Sequence, residues 1–158
     1  MSGLHGTAIG VALDLDGPLR GVLLVGPPGS GKSRLAAELI AYCPHQRTGL
    51  IADDLILFDD NGWAQCHEKG PLLHLRGVGI AGVRGAPPMT VDFIISLGDG
   101  AEKDAACAEG VLQSATWLPI DPATANAAAL RLALRSLASG QSLWSGFEPG
   151  PQPGQDGL

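Results

Sequence analysis

The segment Gly26-Pro27-Pro28-Gly29-Ser30-Gly31-Lys32-Ser33 fits G-x-x-x-x-G-K-[ST], the phosphate-binding loop motif. It constrains the fold because it works only between a strand and a helix. Gly21-Val22-Leu23-Leu24-Val25 runs into it as a short apolar strand, and Arg34-Leu35-Ala36-Ala37-Glu38-Leu39-Ile40 leaves it with helical spacing. Glycines at 26, 29 and 31 let successive amides turn into one concavity, to which the helix N-terminus adds its positive end. Lys32 is placed to reach β- and γ-phosphate oxygens and the Ser33 hydroxyl to ligate Mg²⁺. With the following Arg34, these residues are the expected nucleotide contacts.

The chain has 158 residues and suits one domain, residues 1–142, with a disordered Gly/Pro-rich tail at 143–158. The net charge of −6 argues against a nucleic acid or an anionic membrane as partner. Cys43, Cys66 and Cys107 are odd in number and irregularly spaced, and neither Cys43 with His45 nor Cys66 with His67 has zinc-ligand spacing. With no signal sequence or long apolar run, the expected setting is the cytoplasm.

Residues 5–15 read as a strand ending in the turn Asp16-Gly17-Pro18, so that with residues 21–25 they form a hairpin. Leu50-Ile51-Ala52 reads as a strand stopped by Asp53-Asp54, and residues 55–58 and 63–66 as a second hairpin about Asp59-Asp60-Asn61-Gly62. Residues 72–75, 91–97 and 116–120 are further strands, while residues 76–82 are expected to form a Gly-rich loop. Residues 98–110 read as a loop or short helix. Leu130, Leu134 and Leu137 mark an amphipathic helix with Arg131 and Arg135 toward solvent. Many strands and few helices imply an α/β fold, a single P-loop domain on a mixed β-sheet.

Asp53-Asp54 follows Lys32 by about twenty residues, where the end of a neighbouring strand would come close to the phosphates. Two adjacent acids there can divide labour, one holding Mg²⁺ and the other taking the proton of an attacking hydroxyl. Arg76-Gly77-Val78-Gly79-Ile80 can offer backbone amides and a guanidinium to a phosphate or a protein partner. His5 and His74 are each, taken alone, isolated histidines among apolar neighbours.

Together these passages resemble the HPr kinase/phosphorylase family, in its short form without the N-terminal domain. The likeness is carried by His5-Gly6, by residues 21–33, by Leu50-Ile51-Ala52-Asp53-Asp54 and by residues 72–80, a variant of L-[IL]-E-[IV]-R-G-L-G-I. Leu118-Pro119-Ile120 is a fainter echo, and the whole spans about residues 4–140. The resemblance implies an HPr kinase / PEP carboxykinase-like fold, with ATP and Mg²⁺ as cofactors. It also implies an HPr-like phosphocarrier as the protein phosphorylated on serine, and a homo-oligomer. It gives Asp54 the role of catalytic base, with Asp53, Lys32 and His5 beside it. Ser33 and Asp53 become the metal ligands, and Arg76, Gly77 and Gly79 the substrate loop. Three departures stand out. His74 occupies the place of the signature glutamate, residues 98–110 contain no arginine, and Asp121-Pro122-Ala123-Thr124 replaces a basic loop. The alternative they leave open is a nucleotide-binding regulator with little catalysis.

Overall fold

A computed structural model describes residues 2–66, 70–98 and 112–140. The tail at 143–158 and the polar stretch at 99–110 lie outside these residues. Nine strands and two helices are described: β1 (Ser2–Val11), β2 (Arg20–Val25), α1 (Lys32–Ala41), β3 (Gly49–Phe58), β4 (Trp63–Cys66), β5 (Leu72–Leu75), β6 (Gly79–Gly82), β7 (Met89–Thr90), β8 (Phe93–Leu97), β9 (Thr116–Ile120) and α2 (Ala127–Ala138).

Seven strands form one mixed sheet in the order β7-β4-β3-β1-β2-β8-β9. The β1–β2 and β3–β4 hairpins supply antiparallel pairs, while β8 runs parallel to both β2 and β9. In β2, Val22 and Leu24 enter the core on the helix side and Leu23 and Val25 the core on the other side. A strand covered on both faces has no need of polar alternation, which explains its unbroken apolar run. α1 and α2 cover one face through Leu35, Leu39, Leu130 and Leu134. Leu73 of the separate β5–β6 hairpin joins that same core and is fully buried. Phe58, Ile56 and Ile94 centre the opposite core.

Two expectations need correction. β3 does not stop at Asp53-Asp54; β1 pairs with it straight through, Thr7 opposite Asp53 and Gly6 opposite Asp54. The ladder continues even though Asp54 takes a left-handed backbone, φ 71°, which short polar side chains tolerate better than bulky ones. Residues 76–82 are not simply a loop: β6 pairs with β5, and only Arg76, Gly77 and Val78 form the turn. The arginines of α2 lie on its polar side as expected, Arg135 exposed and Arg131 half-buried, but both are engaged. Arg131 donates to the Ala12 carbonyl and Arg135 pairs with Asp14 at 3.4 Å, so both hold the β1–β2 turn.

The start of β2 is crossed closely by the chain entering β8. The Asp92 amide donates to the Gly21 carbonyl (2.8 Å), and Asp92 Oδ2 accepts from the Gly21 amide (3.2 Å). A side chain at residue 21 would overlap the Thr90 carbonyl. Gly21→Ala is therefore expected to cost about 2–3 kcal/mol, the upper part of the range for backbone shifts forced by overpacking. Urea unfolding would read this as a lower midpoint with an unchanged slope.

Candidate active site

The phosphate-loop motif lies between β2 and α1, as the chemistry requires. Ser30 N closes a turn on the Pro27 carbonyl (3.1 Å), and Gly29 and Gly31 have φ of +81° and +97°. Side chains resist that left-handed region, so the loop's course depends on these two glycines. α1 begins at Lys32 with no side-chain cap at Gly31. Its first amides therefore lack intrahelical partners and form a ready anion seat. Ser30 Oγ is buried with no hydrogen-bond partner among the described residues, further unmet capacity in the same loop. Lys32 Nζ donates to the carbonyls of Gly26 (2.7 Å) and Pro27 (3.1 Å), which curls it back over the loop.

Asp53 is the hub. Its Oδ1 accepts from Thr7 Oγ1 at 2.8 Å and from Ser33 Oγ at 3.1 Å, and its Oδ2 accepts from the His74 amide at 3.2 Å. One carboxylate thus ties β1, α1 and the β5–β6 hairpin to β3. Asp54 is different. It is exposed, and its side chain has no hydrogen-bond or ion-pair partner among the described residues. Its carbonyl accepts from His5 Nδ1 at 3.2 Å, so His5 braces the left-handed backbone from the neighbouring strand.

The structure thus brings together Lys32, Ser33, Asp53, Asp54, His5 and the hairpin carrying Arg76, Gly77 and Gly79. It turns the Arg34 side chain elsewhere, toward the Ala125 carbonyl (3.3 Å) and Glu38 (3.4 Å), leaving only the Arg34 amide near the loop. Asp121-Pro122-Ala123-Thr124 is a self-contained turn in which Asp121 Oδ1 accepts from the Ala123 amide. Thr7 was not singled out from sequence. The signal was present, because alternation along a strand sends residues 5 and 7 to the same face.

Among the described residues no three His, Cys, Asp or Glu side chains stand close enough to hold a metal by themselves. Mg²⁺ does not require such a cage, since it is commonly held by one or two carboxylates together with substrate phosphates. Ser33 Oγ and the Asp53 carboxylate, oxygen donors 3.1 Å apart beside the anion seat, fit that requirement. Away from the site, burial pushes the Cys43 thiol up. The Thr48 hydroxyl and the amides of Arg47, Thr48 and His45 outweigh it and bring the pKa down to about 6. No helix among the described residues is long and apolar enough to cross a membrane.

No family model and no curated protein matches the sequence. Among solved structures, the HPr(Ser) kinase/phosphatase from Coxiella burnetii matches over 89% of this chain and 90% of that one, with a TM-score of 0.59 and 20% identity. At that identity the likeness establishes architecture and leaves chemistry to be argued from side chains. The mixed sheet, its few helices and its strand-loop-helix opening are the fold of an HPr kinase-like domain.

Proposed function

We propose that this chain is an ATP-dependent protein kinase that phosphorylates a serine of an HPr-like phosphocarrier. The observation that carries the reading is the division between the two acids. Asp53 is bound to the phosphate-loop serine, and Asp54 next to it projects an uncommitted carboxylate. The first is the arrangement needed to fix a cation against phosphates, and the second is that of a general base.

The loop amides and Lys32 would bind the β- and γ-phosphates, Lys32 exchanging the Gly26 and Pro27 carbonyls for phosphate oxygens. Ser33 and Asp53 would hold Mg²⁺, which when bound draws charge from the phosphate oxygens. Asp54 accepts the proton of the serine hydroxyl as its oxygen bonds to the γ-phosphorus. The bond from that phosphorus to the β,γ-bridging oxygen breaks, and ADP departs with the electron pair. His5 holds the Asp54 backbone in place, and Thr7 orients Asp53.

The test incubates the protein with ATP, Mg²⁺ and HPr and seeks phosphoserine on HPr. ATP binding without a phosphoserine product would sink the kinase reading in favour of a nucleotide-binding regulator. One observation favours that second reading: an exposed imidazole, His74, stands where the family has a glutamate, and imidazole is a poor partner for Mg²⁺. Turnover gained by His74→Glu in an otherwise inactive chain would locate the defect there.

A further inference from the structure

The β1–β2 connection and the C-terminal end of α2 form a cleft of about 290 Å³ at the opposite end of β1 and β2 from the phosphate loop. Leu13, Asp16, Pro18 and Arg20 wall it on one side, Arg135 and Ser139 on the other. Its shape is set in advance. Arg135 pairs with Asp14, Arg131 donates to the Ala12 carbonyl, and Arg47 donates to the carbonyls of Asp14, Leu15 and Gly17. Two polar groups of the cleft are left over. Asp16 has no hydrogen-bond or ion-pair partner among the described residues. Arg20 Nε is buried, 3.3 Å from Asp92 Oδ2 in an ion pair but without a hydrogen bond. The reaction proposed above uses none of these side chains.

The chain leaves the described fold at the rim of this cleft. Gly140 takes φ +85° and its amide donates to the Leu137 carbonyl at 3.1 Å, the left-handed turn that ends a helix and sends the chain off its axis. Residues 141–158 follow. They hold two of the chain's seven aromatic residues, Trp144 and Phe147, beside Leu143 and just ahead of Glu148. The rest of the segment is mostly Gly, Pro, Gln and Ser, which cannot build a core to bury such side chains. Trp144 follows Ser139 by five residues, a reach of at most roughly 17 Å, and Ser139 is already part of the wall.

We propose that residues 143–148 of this chain dock in the cleft, the Trp144 ring against Leu13 and Pro18 and Glu148 toward Arg20 and Arg135. The proposal stands apart from the kinase reading and does not depend on it. The chemistry matches on both sides. An indole is a large apolar ring with one N–H donor, and the cleft has apolar walls and, in Asp16, an acceptor lacking a donor. Glu148 and Asp156 are the only charged side chains of the segment and both are acidic, whereas two guanidiniums edge the cleft. A free anion would bring no ring to the apolar walls and would meet Asp14 and Asp16. The tether adds to the match, because a short flexible linker holds its end at an effective concentration of about millimolar. A contact too weak to retain a separate ligand is then occupied. Docked, the segment bridges α2 and the β1–β2 connection, and the undocked tail expected from composition begins only after Glu148.

The fluorescence of Trp144 is read in the full chain as the difference between the parent and Trp144→Phe, and acrylamide quenching measures its exposure. In the parent this emission is expected to lie to the blue of a synthetic peptide of residues 141–151 and to be quenched several-fold less. Ser139→Phe puts a ring into the cleft from an exposed position at the helix end. Read against its own Trp144→Phe counterpart, it should restore quenching to the peptide's level, while Ser139→Ala keeps the protection. Glu148→Lys, which lies in the tail and leaves the folded domain untouched, should raise quenching partway at low salt. A Trp144 quenched as freely in the parent as in the peptide overturns the proposal. Protection that survives Ser139→Phe also overturns it, because the ring is then buried elsewhere. Protection lost on dilution overturns docking within one chain and gives the cleft to the tail of a second copy.

Discussion

Asp54→Asn is expected to lower phosphoryl transfer to serine by about 10²–10⁴-fold, the usual contribution of a positioned general base. ATP affinity should remain within a factor of about two, because the exposed Asp54 carboxylate makes no hydrogen bond or ion pair with Lys32, Ser33 or any other described residue. The fold should not suffer. Asparagine tolerates the left-handed backbone at φ 71° as aspartate does, and the His5 bond goes to the main-chain carbonyl, which the substitution keeps. Asp54→Gly sharpens the test. It relieves left-handed strain worth about 1 kcal/mol and gives part of that back through a looser unfolded chain. Stability should therefore hold or rise slightly while transfer is lost. Phosphoserine formation and urea unfolding, read side by side, check both halves. A variant that loses stability but keeps its rate would make Asp54 a structural residue.

Much of this site was legible because its residues obey local rules. Residues 26–33 announce a strand-loop-helix turn by composition alone, and the double Asp announces itself by its distance from Lys32. What stayed hidden depends on partners distant in sequence. The left-handed Asp54 depends on β1 running opposite it, with Gly6 across from it and His5 beside it. Reading the pair as the end of a strand is the natural inference from two adjacent acids, and pairing with β1 on the other side reverses it. The same holds for residues 76–82. Their glycines suggest a loop, but β6 needs only backbone groups to pair with β5, so a glycine-rich segment completes the hairpin. Arg131 and Arg135 follow the polar side of a helical pattern, and which carbonyl or carboxylate awaits them is a tertiary fact. Thr7 is the instructive omission. Its position two residues after His5 predicted its face, but its importance comes from Asp53, 46 residues away.

Asp53 should behave in the opposite way to its neighbour, because it is built into the structure. Asp53→Ala removes the acceptor of three hydrogen bonds at once: those from Thr7, Ser33 and the His74 amide. Thr7 is fully buried, so its hydroxyl has no water to turn to. Stranding a buried donor costs about 1–3 kcal/mol, and the hairpin that carries Arg76 loses its tether to β3. Asp53→Asn separates this structural share from the electrostatic one. The asparagine oxygen can still accept from Thr7 and Ser33, so most of the stability should remain, but the negative charge that would hold Mg²⁺ is gone. The gain in ATP affinity on adding Mg²⁺ is expected to shrink by roughly 10–100-fold in Asp53→Asn, as metal sites do when a supporting ligand is altered. Asp53→Ala should show the same loss together with a lower urea midpoint. ATP titrations with and without Mg²⁺ read the first effect and unfolding curves the second. If Asp53→Asn keeps the full Mg²⁺ dependence, the cation is held by other groups. Asp53 would then be a purely structural link between the phosphate loop and the hairpin.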